Sequence, residues 1–235
     1  MKDMAIERVK TYIKGLDENM SGGVPKRHIV LIVGQPGTMK SSLGYSILYN
    51  NAKNEGKKGV LISLEQSRSS LAQAMANMGM AVSPEIGEKI SILDLGFIRK
   101  KMTQLSSQTW LEVFKMYAQN LKDNLDFDIM VIDSLPVMET MARFKDTREE
   151  LFHFFEWLKD LDITTFVIHE MPQDTMRFAE NGEDFLSDGI IHLDMQRDKQ
   201  SVNLFLAIMK MRSTKHKRGY FPLIFDKGGF EIVTR

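Results

Sequence analysis

A lysine and a serine at the end of a glycine-bearing turn are the residues whose chemistry is easiest to interpret in this chain. The apolar run 28–33 is followed by Gly34-Gln35-Pro36-Gly37-Thr38-Met39-Lys40-Ser41-Ser42. Such a turn can point backbone N–H groups at a phosphate, while the lysine adds a positive charge and the serine hydroxyl is a ligand for Mg²⁺. The residue types fit the P-loop pattern G-x-x-x-x-G-K-[ST] except at Met39, which replaces the second glycine. We therefore expect residues 34–42 to bind a nucleoside triphosphate, with Lys40 at the β- and γ-phosphates and Ser41 on Mg²⁺.

Met39 leaves two interpretations of this turn open. Glycine is required only where φ is positive or where a Cβ would strike the ligand, and the residue before the lysine could already belong to the following helix. A flexible methionine would then be tolerated. In the other interpretation, the loop binds a nucleotide and hydrolyses it poorly. An ordinary strand-to-helix turn without a ligand is the alternative to both.

Two carboxylates, Glu65 and Asp133, end apolar runs further along the chain. Ligands of open α/β sheets bind at the carboxyl ends of the strands, so both side chains could face the phosphates. Asp133 is placed like a Walker B aspartate, which holds Mg²⁺ directly or through water, or it is a capping or turn aspartate. Glu65 could deprotonate the attacking water, or it could cap the helix that runs through Leu71. Gln66 would be a polar neighbour of that glutamate.

A histidine and a pair of cations are further candidates. His169 ends another apolar run and is either a hydrogen-bonded core histidine or a sensor of the γ-phosphate. Lys210 and Arg212 lie two residues apart near the end of a predicted strand, so they point the same way. They are either solvated side chains or a pair that reaches the nucleotide of a neighbouring subunit. Strict alternation predicts one face of that strand to carry Leu204, Leu206, Ile208, Lys210 and Arg212.

The elements that must position these residues are short apolar strands alternating with helices. This pattern predicts a three-layered α/β fold, in which helices cover a mostly parallel sheet. Beyond residue 189 the strands are closely spaced, which predicts antiparallel hairpins at one end of the sheet. The polar stretch 172–188 is expected to be a long loop. The predicted strands are 28–33, 59–65, 90–95, 129–133, 164–169, 190–193, 202–211, 221–225 and 230–233, and the predicted helices are 40–53, 69–78, 108–121 and 147–161.

Composition narrows the class of protein. The chain has 235 residues, enough for a substantial core, and we expect one domain over residues 1–235. Lys plus Arg equals Asp plus Glu at 31 each, so no overall positive charge argues for nucleic acid or an anionic membrane. The absence of cysteine excludes disulfides and thiolate chemistry. The sequence lacks a signal-peptide core and a run of ~20 apolar residues, so we expect a cytoplasmic protein without membrane insertion.

Taken in order, these residues resemble the KaiC-like group of RecA-superfamily ATPases. The resemblance runs from about Val9 to the C-terminus, and only the ordered set is specific. With one RecA-like domain, the chain is most similar to single-domain archaeal members. Besides residues 34–42, the matching pieces are Gly15-Leu16-Asp17, Ser21-Gly22-Gly23-Val24-Pro25, Glu65-Gln66, Asp133-Ser134, Ser187-Asp188-Gly189-Ile190-Ile191 and Lys210-Met211-Arg212-Ser213-Thr214 with His216.

The resemblance implies a RecA-like core, ATP and Mg²⁺ as ligands, and a homo-oligomeric ring, commonly a hexamer, with the nucleotide between subunits. By position, Glu65 matches the first of the family's paired catalytic glutamates, and Gln66 replaces the second. Lys210 and Arg212 match the family's K-x-R element, which reaches the phosphates of the adjacent subunit. Because Met39 and Gln66 depart from the family pattern, slow turnover is expected.

Three hypotheses about function follow. The first is a slow, ring-forming regulatory or assembly ATPase with an unidentified protein partner. The second is a non-catalytic ATP-binding scaffold, similar to the archaellum component of the family. The third is a RecA/RadA-like DNA-binding recombinase paralogue, for which the basic stretch 210–218 is the local signal, although a solvated charged turn is the favoured account of that stretch. The neutral net charge favours the first two over nucleic-acid binding.

Overall fold

Helices lie on both faces of a central sheet in the computed structural model of this protein. The structure describes residues 6–95, 107–171, 177–226 and 228–234, and for 107–109 it describes the backbone alone. The strands are β1 (Arg8–Val9), β2 (Val24–Pro25), β3 (Ile29–Gly34), β4 (Gly59–Ser63), β5 (Ile90–Asp94), β6 (Ile129–Asp133), β7 (Thr164–Glu170), β8 (Gly189–Arg197), β9 (Val202–Met211), β10 (Phe221–Asp226) and β11 (Gly229–Ile232). The helices are α1 (Lys40–Glu55), α2 (Arg68–Asn77), α3 (Pro84–Gly87), α4 (Ser107–Leu125), α5 (Leu135–Ala142), α6 (Thr147–Asp160) and α7 (Glu183–Leu186).

The central sheet has the strand order β11-β10-β9-β8-β3-β7-β6-β4-β5. The strands from β8 to β5 in this order pair in parallel, and the strands from β8 to β11 pair antiparallel. Both features confirm the predicted mostly parallel sheet with antiparallel strands at one end. Because β3, β4, β6 and β7 are parallel, the residues that follow them lie along the same edge of the sheet.

Each face of the sheet carries its own cluster of buried apolar side chains. Along β3, Val30 and Ile32 pack in the cluster that contains α1, whereas Leu31 and Val33 pack with residues of α4, α5 and α6. A strand buried on both faces requires such an uninterrupted apolar run. The three-layer prediction is therefore confirmed. Among the described residues, no helix is both long and apolar enough to cross a membrane.

All nine predicted strands and all four predicted helices are present, with ends that shift by a few residues. In the described part of the chain, the sequence prediction lacked the short helices α3, α5 and α7 and the antiparallel pair of β1 and β2. One of these helices, α7, lies inside the stretch 172–188 that was expected to be loop, so that expectation was wrong at Glu183–Leu186. Residues 172–176 of this stretch lie outside the described part of the chain.

Strict alternation along β9 was also wrong. Ile191 pairs with Ile208, but the preceding Ile190 pairs with Lys210, so Met209 is an extra residue on β9. Such a β-bulge reverses the faces of all residues beyond it. Leu206, Ile208 and Met211 consequently share one apolar cluster, while Ile190, opposite Lys210, belongs to the other. Lys210 and Arg212 still point the same way, as predicted, but on the face opposite Leu206 and Ile208.

Candidate functional site

Lys40 is the first residue of α1 and is buried beneath the turn that precedes the helix. Its Nζ donates hydrogen bonds of 2.9 Å to the carbonyl oxygens of Gly34 and Gln35. Burial lowers the pKa of Lys40, and three carboxylates act in the opposite direction by attracting the ammonium charge. A positive side chain therefore lies at a helix N-terminus, where backbone N–H groups also favour anions. The three carboxylates belong to Glu170, Asp133 and Glu65.

Two glycines and a threonine fix the shape of the turn. A Cβ at Gly34 would collide with the carbonyl oxygen of Leu193 on β8, so only glycine fits there. Gly37 has a φ of +87°, in the region that glycine adopts most easily. Thr38 is fully buried, and its hydroxyl donates a 2.8 Å hydrogen bond to the carbonyl oxygen of Gln35. Pro36 and Gly37 lie exposed at the tip of the turn, whereas Ser42 is half-buried in α1.

Met39 immediately precedes α1 and does not belong to it. Its φ of 67° and ψ of 25° are left-handed, and its carbonyl oxygen accepts a 2.9 Å hydrogen bond from the N–H of Leu43. The interpretation that this residue has already entered the helix was therefore wrong, because the backbone adopts the conformation that glycine would provide without strain. The half-buried Met39 side chain packs against the apolar cluster on the α1 face of the sheet.

Asp133 ends β6 and lies directly beside the start of α1. Its carboxylate is buried. Burial raises the pKa of Asp133 from 3.8 to about 6, and the nearby Ser41 hydroxyl partly opposes this change. Asp133 does not cap α5, because Ser134 occupies the N-cap position. A hydroxyl and a carboxylate together are the kind of oxygen ligands that Mg²⁺ takes.

Glu65 follows β4 and reaches across to the residue after Asp133. The Ser134 hydroxyl donates a 2.6 Å hydrogen bond to Oε1 of Glu65. The side chain does not cap α2, because Ser67 occupies the N-cap and accepts a 3.2 Å hydrogen bond from the N–H of Ser70. Glu65 is exposed at the edge of the sheet, with one oxygen held in place. A carboxylate in this position could accept a proton from water.

Lys210 and Arg212 converge on the segment that enters β8. Nζ of Lys210 donates hydrogen bonds to the carbonyl oxygens of Asp184 at 2.8 Å and Ser187 at 2.6 Å. The Arg212 guanidinium donates at 2.8 Å to the carboxylate of Asp188. Lys210 is therefore not simply solvated, and its pKa is lowered chiefly by burial.

These two cations lie at the opposite edge of the sheet from the turn 34–42. Lys210 pairs with Ile190, which in turn pairs with Leu31 near the start of β3. Arg212 contacts Asp188, whose N–H donates to the carbonyl oxygen of Ile29, the first residue of β3. The five residues that separate the start of β3 from its end span about 17 Å. The chain thus brings Lys40, Ser41, Asp133 and Glu65 together and keeps Lys210 and Arg212 away from them.

His169 is a buried, hydrogen-bonded histidine. Its Nδ1 lies 2.7 Å from the carbonyl oxygen of Glu170, and its Nε2 lies 3.3 Å from Oε1 of Glu183. Glu139 on α5 and Glu183 on α7 form a cluster with this ring. Sequence reasoning missed both glutamates, because neither helix was predicted and no spacing in the sequence links the three residues.

The basic stretch beyond Arg212 is tied to the N-terminal part of the chain through its backbone. The Ser21 hydroxyl donates at 2.8 Å to the carbonyl oxygen of Lys215, and the N–H of Lys217 donates at 3.0 Å to the carbonyl oxygen of Asn19. The side chains of Lys215, Lys217 and Arg218 are exposed. This arrangement agrees with a solvated charged turn.

Comparison with known protein families gives one match that covers nearly the whole chain. A model of the family described as "ATPase: KaiC" matches residues 9–235. Among solved structures, a KaiC-like protein from the archaeon Pyrococcus horikoshii superimposes with a TM-score of 0.83 at 27% identity, covering 97% of this chain and 100% of that one. The fold is therefore that of a RecA-like ATPase.

Individual relatives match over almost all of this chain. A UPF0273 protein of Saccharolobus solfataricus is 31% identical over 95% of this chain and 82% of its own length. A UPF0273 protein of Pyrobaculum aerophilum is 28% identical over 98% of this chain and 84% of its own length. The circadian clock protein KaiC2 of Synechocystis is 23% identical over 99% of this chain, which spans only 41% of the length of that relative.

Proposed function

Because the chain belongs to the KaiC ATPase family, we propose that it is a regulatory or assembly ATPase that binds MgATP between the subunits of a homo-oligomeric ring, a hexamer, and hydrolyses it slowly. Residues 1–235 form one ATPase domain in this proposal, and a further protein is the target of the ring. The observation that carries the proposal is the separation of the charged residues into two groups. Lys40, Asp133 and Glu65 lie at one edge of the sheet, and Lys210 with Arg212 lies at the other.

The turn 34–42 binds the phosphates in this proposal. Its backbone N–H groups and the N-terminus of α1 face the triphosphate, and Lys40 exchanges its hydrogen bonds to Gly34 and Gln35 for phosphate oxygens. The Ser41 hydroxyl lies close enough to the Asp133 carboxylate to lower the pKa of that group, so oxygens of both side chains are available to a single hard cation. Mg²⁺ held by these two residues would neutralise negative charge on the β- and γ-phosphates.

Glu65 is the general base in this proposal. It accepts a proton from the water that attacks the γ-phosphorus, and the bond from that phosphorus to the bridging oxygen breaks. The 2.6 Å hydrogen bond from Ser134 orients the carboxylate, so proton transfer does not require the side chain to reorder. Gln66, unlike a second glutamate, adds no neighbouring negative charge, and its side chain is exposed.

Lys210 and Arg212 act on the phosphates of the adjacent subunit. Arg212 lies level with the start of β3, about 17 Å along the strands from the phosphate turn of its own chain. Lys210 is level with Leu31, about 10 Å from that turn, and its Nζ is held by the carbonyl oxygens of Asp184 and Ser187. In a ring with head-to-tail interfaces, one edge of each subunit meets the other edge of its neighbour. The two cations would then stabilise negative charge that develops on the neighbour's nucleotide.

A mixing experiment tests this division of labour. Glu65→Gln lacks the base but retains both cations, and Arg212→Ala lacks one cation but retains the base. Because each variant lacks one of these groups at every interface, each alone should release phosphate at least tenfold more slowly than wild type. In randomly mixed rings, about one interface in four combines an intact Glu65 with an intact Arg212, so an equimolar mixture should recover about a quarter of the wild-type rate. Arg218→Ala is the matched control, because it removes a nearby exposed cation and should not change the rate.

Two outcomes would contradict the proposal. Absence of recovery in the mixture, although both variants form rings, would remove Arg212 from the neighbour's site. A full rate for Arg212→Ala alone would do the same. The nucleotide itself is tested separately by Lys40→Ala, which should abolish ATP binding measured by calorimetry.

A non-catalytic scaffold is the second candidate, and Met39 favours it. Its side chain occupies a position at which the backbone adopts a glycine-like conformation, so the turn is strained where the triphosphate would bind. The two candidates separate when solution mass and phosphate release are measured on the same sample with and without MgATP. A nucleotide-dependent ring without phosphate release supports the scaffold, whereas release within the ring supports the ATPase.

A further inference from the structure

Three side chains from three separate elements meet beside the phosphate turn. Glu139 comes from α5, His169 from the end of β7, and Glu183 from α7. One ligand atom of each lies within 4.8 Å of the corresponding atoms of the other two. His169 is 4% exposed and Glu183 is fully buried, whereas Glu139 is half-buried.

The hydrogen bonds of His169 determine what its second ring nitrogen can do. A carbonyl oxygen only accepts hydrogen bonds, so Nδ1 must donate at 2.7 Å to the carbonyl of Glu170. In the neutral ring, Nε2 is then an acceptor that faces another acceptor, Oε1 of Glu183, at 3.3 Å. Donation from one ring nitrogen to a backbone carbonyl is the arrangement that orients a histidine to bind a metal through the other.

The glutamates show the same surplus of acceptors over donors. Among the described residues, Oε1 of Glu139 is buried and has no hydrogen-bond partner. The N–H of Asn181 donates at 2.8 Å to Oε2 of Glu183, and the Asn181 amide lies 3.4 Å from Oε2 of Glu139. The Asn181 side-chain amide also lies 3.4 Å from Oε1 of Glu183. Asn181 thus contacts both carboxylates, while the only partner of Oε1 of Glu183 besides this amide is Nε2 of His169, and Oε1 of Glu139 has none among the described residues. Buried acceptors that face one another require a proton or a cation between them.

The cluster opens onto a cavity of about 290 Å³. The walls of this cavity include Pro36 of the phosphate turn, Glu170 and Glu180 in addition to the three ligand residues. An ion can therefore enter from the solvent side without unfolding of the sheet edge. The cavity also leaves room for water molecules to complete the coordination of an ion.

We propose that Glu139, His169 and Glu183 bind one divalent transition-metal ion, represented by Zn²⁺, at a site distinct from the Mg²⁺ site of Ser41 and Asp133. Imidazole nitrogens and carboxylate oxygens both bind Zn²⁺, whereas imidazole is not a preferred ligand of Mg²⁺. The site is built from the chain's own side chains and does not depend on ATP hydrolysis.

Metal content is measured on chelator-treated protein without a histidine tag. After incubation with Zn²⁺ and gel filtration, elemental analysis should find one Zn²⁺ for each wild-type chain. Glu139→Gln and His169→Asn should each weaken Zn²⁺ binding at least tenfold in a chelator competition. His153→Asn is the matched control, because it removes a histidine whose Nδ1 lies 3.1 Å from Glu156 on the exposed face of α6, and it should bind Zn²⁺ like wild type. Asp133→Asn should also retain Zn²⁺.

X-ray absorption at the zinc edge of the wild-type protein provides a test that requires no variant to fold. The spectrum should show one imidazole nitrogen and otherwise oxygen ligands. Wild-type protein that retains no Zn²⁺ would overturn the proposal and leave protons as the ions that neutralise the cluster. Zn²⁺ binding that is unchanged in Glu139→Gln, or lost in His153→Asn or Asp133→Asn, would also overturn it, as would a spectrum with no imidazole or with several.

Discussion

Because the backbone at Met39 is left-handed, we expect glycine to be more stable than alanine at this residue, which reverses the usual order. An alanine and a glycine substituted at this residue differ only by a methyl group. In a helix, alanine is more stable than glycine by about 0.5–1 kcal/mol, because glycine loses more backbone entropy on folding. At a φ of 67°, however, any residue with a Cβ costs roughly 1–2 kcal/mol. We therefore expect Met39→Gly to be more stable than Met39→Ala by about 0.5–1 kcal/mol.

The wild-type side chain adds a second contribution. Complete burial of a methionine is worth about 1.5–3 kcal/mol, and Met39 is half-buried, so its packing stabilises the fold by about 1 kcal/mol. Met39→Ala loses this packing and keeps the backbone strain, so its free energy of unfolding should be about 1 kcal/mol below that of wild type. Met39→Gly loses the packing and relieves the strain, so it should be within ~0.5 kcal/mol of wild type.

The measurement is urea unfolding in nucleotide-free buffer at one fixed protein concentration. Ala72→Gly, at an exposed position of α2, is the control for a helical residue, at which alanine is more stable than glycine. Its free energy of unfolding should be about 0.5–1 kcal/mol lower than that of wild type. If Met39→Ala proved more stable than Met39→Gly by the same margin, Met39 would have helical geometry and the strain argument would be refuted. Phosphate release by Met39→Gly then shows whether the side chain limits turnover.

Further changes test other parts of the structure. Burial raises the pKa of Asp133 to about 6, so the folded chain keeps the proton of this carboxyl group to a higher pH than the unfolded chain does. The stability that results from this proton is present below pH 4 and is lost as the pH rises past 6. In Mg²⁺-free buffer, the free energy of unfolding of Asp133→Asn should therefore rise relative to that of wild type by up to about 3 kcal/mol as the pH increases from 4 to 7. If urea unfolding gave the same difference between the two proteins at both pH values, this prediction would be contradicted. Asp188→Asn weakens the contact with Arg212 at 2.8 Å and the hydrogen bond from the N–H of Ile29 at 3.1 Å. We expect its free energy of unfolding to be about 1–3 kcal/mol lower than that of wild type, and equal stability would contradict both contacts. Gly34→Ala should lower the free energy of unfolding by at least about 2 kcal/mol and should also abolish ATP binding, because its Cβ would collide with the carbonyl of Leu193. A stable variant that binds ATP would refute that clash.

The sheet and the residues along its carboxyl edge were predictable because they depend on local patterns. Runs such as Ile129–Asp133 are apolar throughout, and a buried parallel strand requires that pattern. Asp133 and Glu65 could be placed near Lys40 because parallel strands end at a common edge. That Ser134 and not Asp133 occupies the N-cap position of α5 was not predictable, since serine and aspartate are equally favoured there.

The remaining features depend on contacts between residues that are distant in the sequence. Glu139, His169 and Glu183 meet only because two short helices pack against the end of β7, and helices of four to eight residues have weak sequence signals. The conformation of Met39 was misjudged because methionine rarely adopts a positive φ, so its residue type favoured a helical backbone.

The extra residue in β9 also indicates where the chain tolerates a change in length. Removing Met209 would let Lys210 follow Ile208 directly, and each would keep the partner it has now, Ile190 and Ile191 respectively. Neither the apolar face nor the pair of cations would change sides. A deletion elsewhere between Leu204 and Ile208 would instead turn the intervening side chains to the wrong face. In an alignment of relatives, a gap at Met209 would therefore preserve the function of this strand, whereas a gap two residues earlier would destroy it.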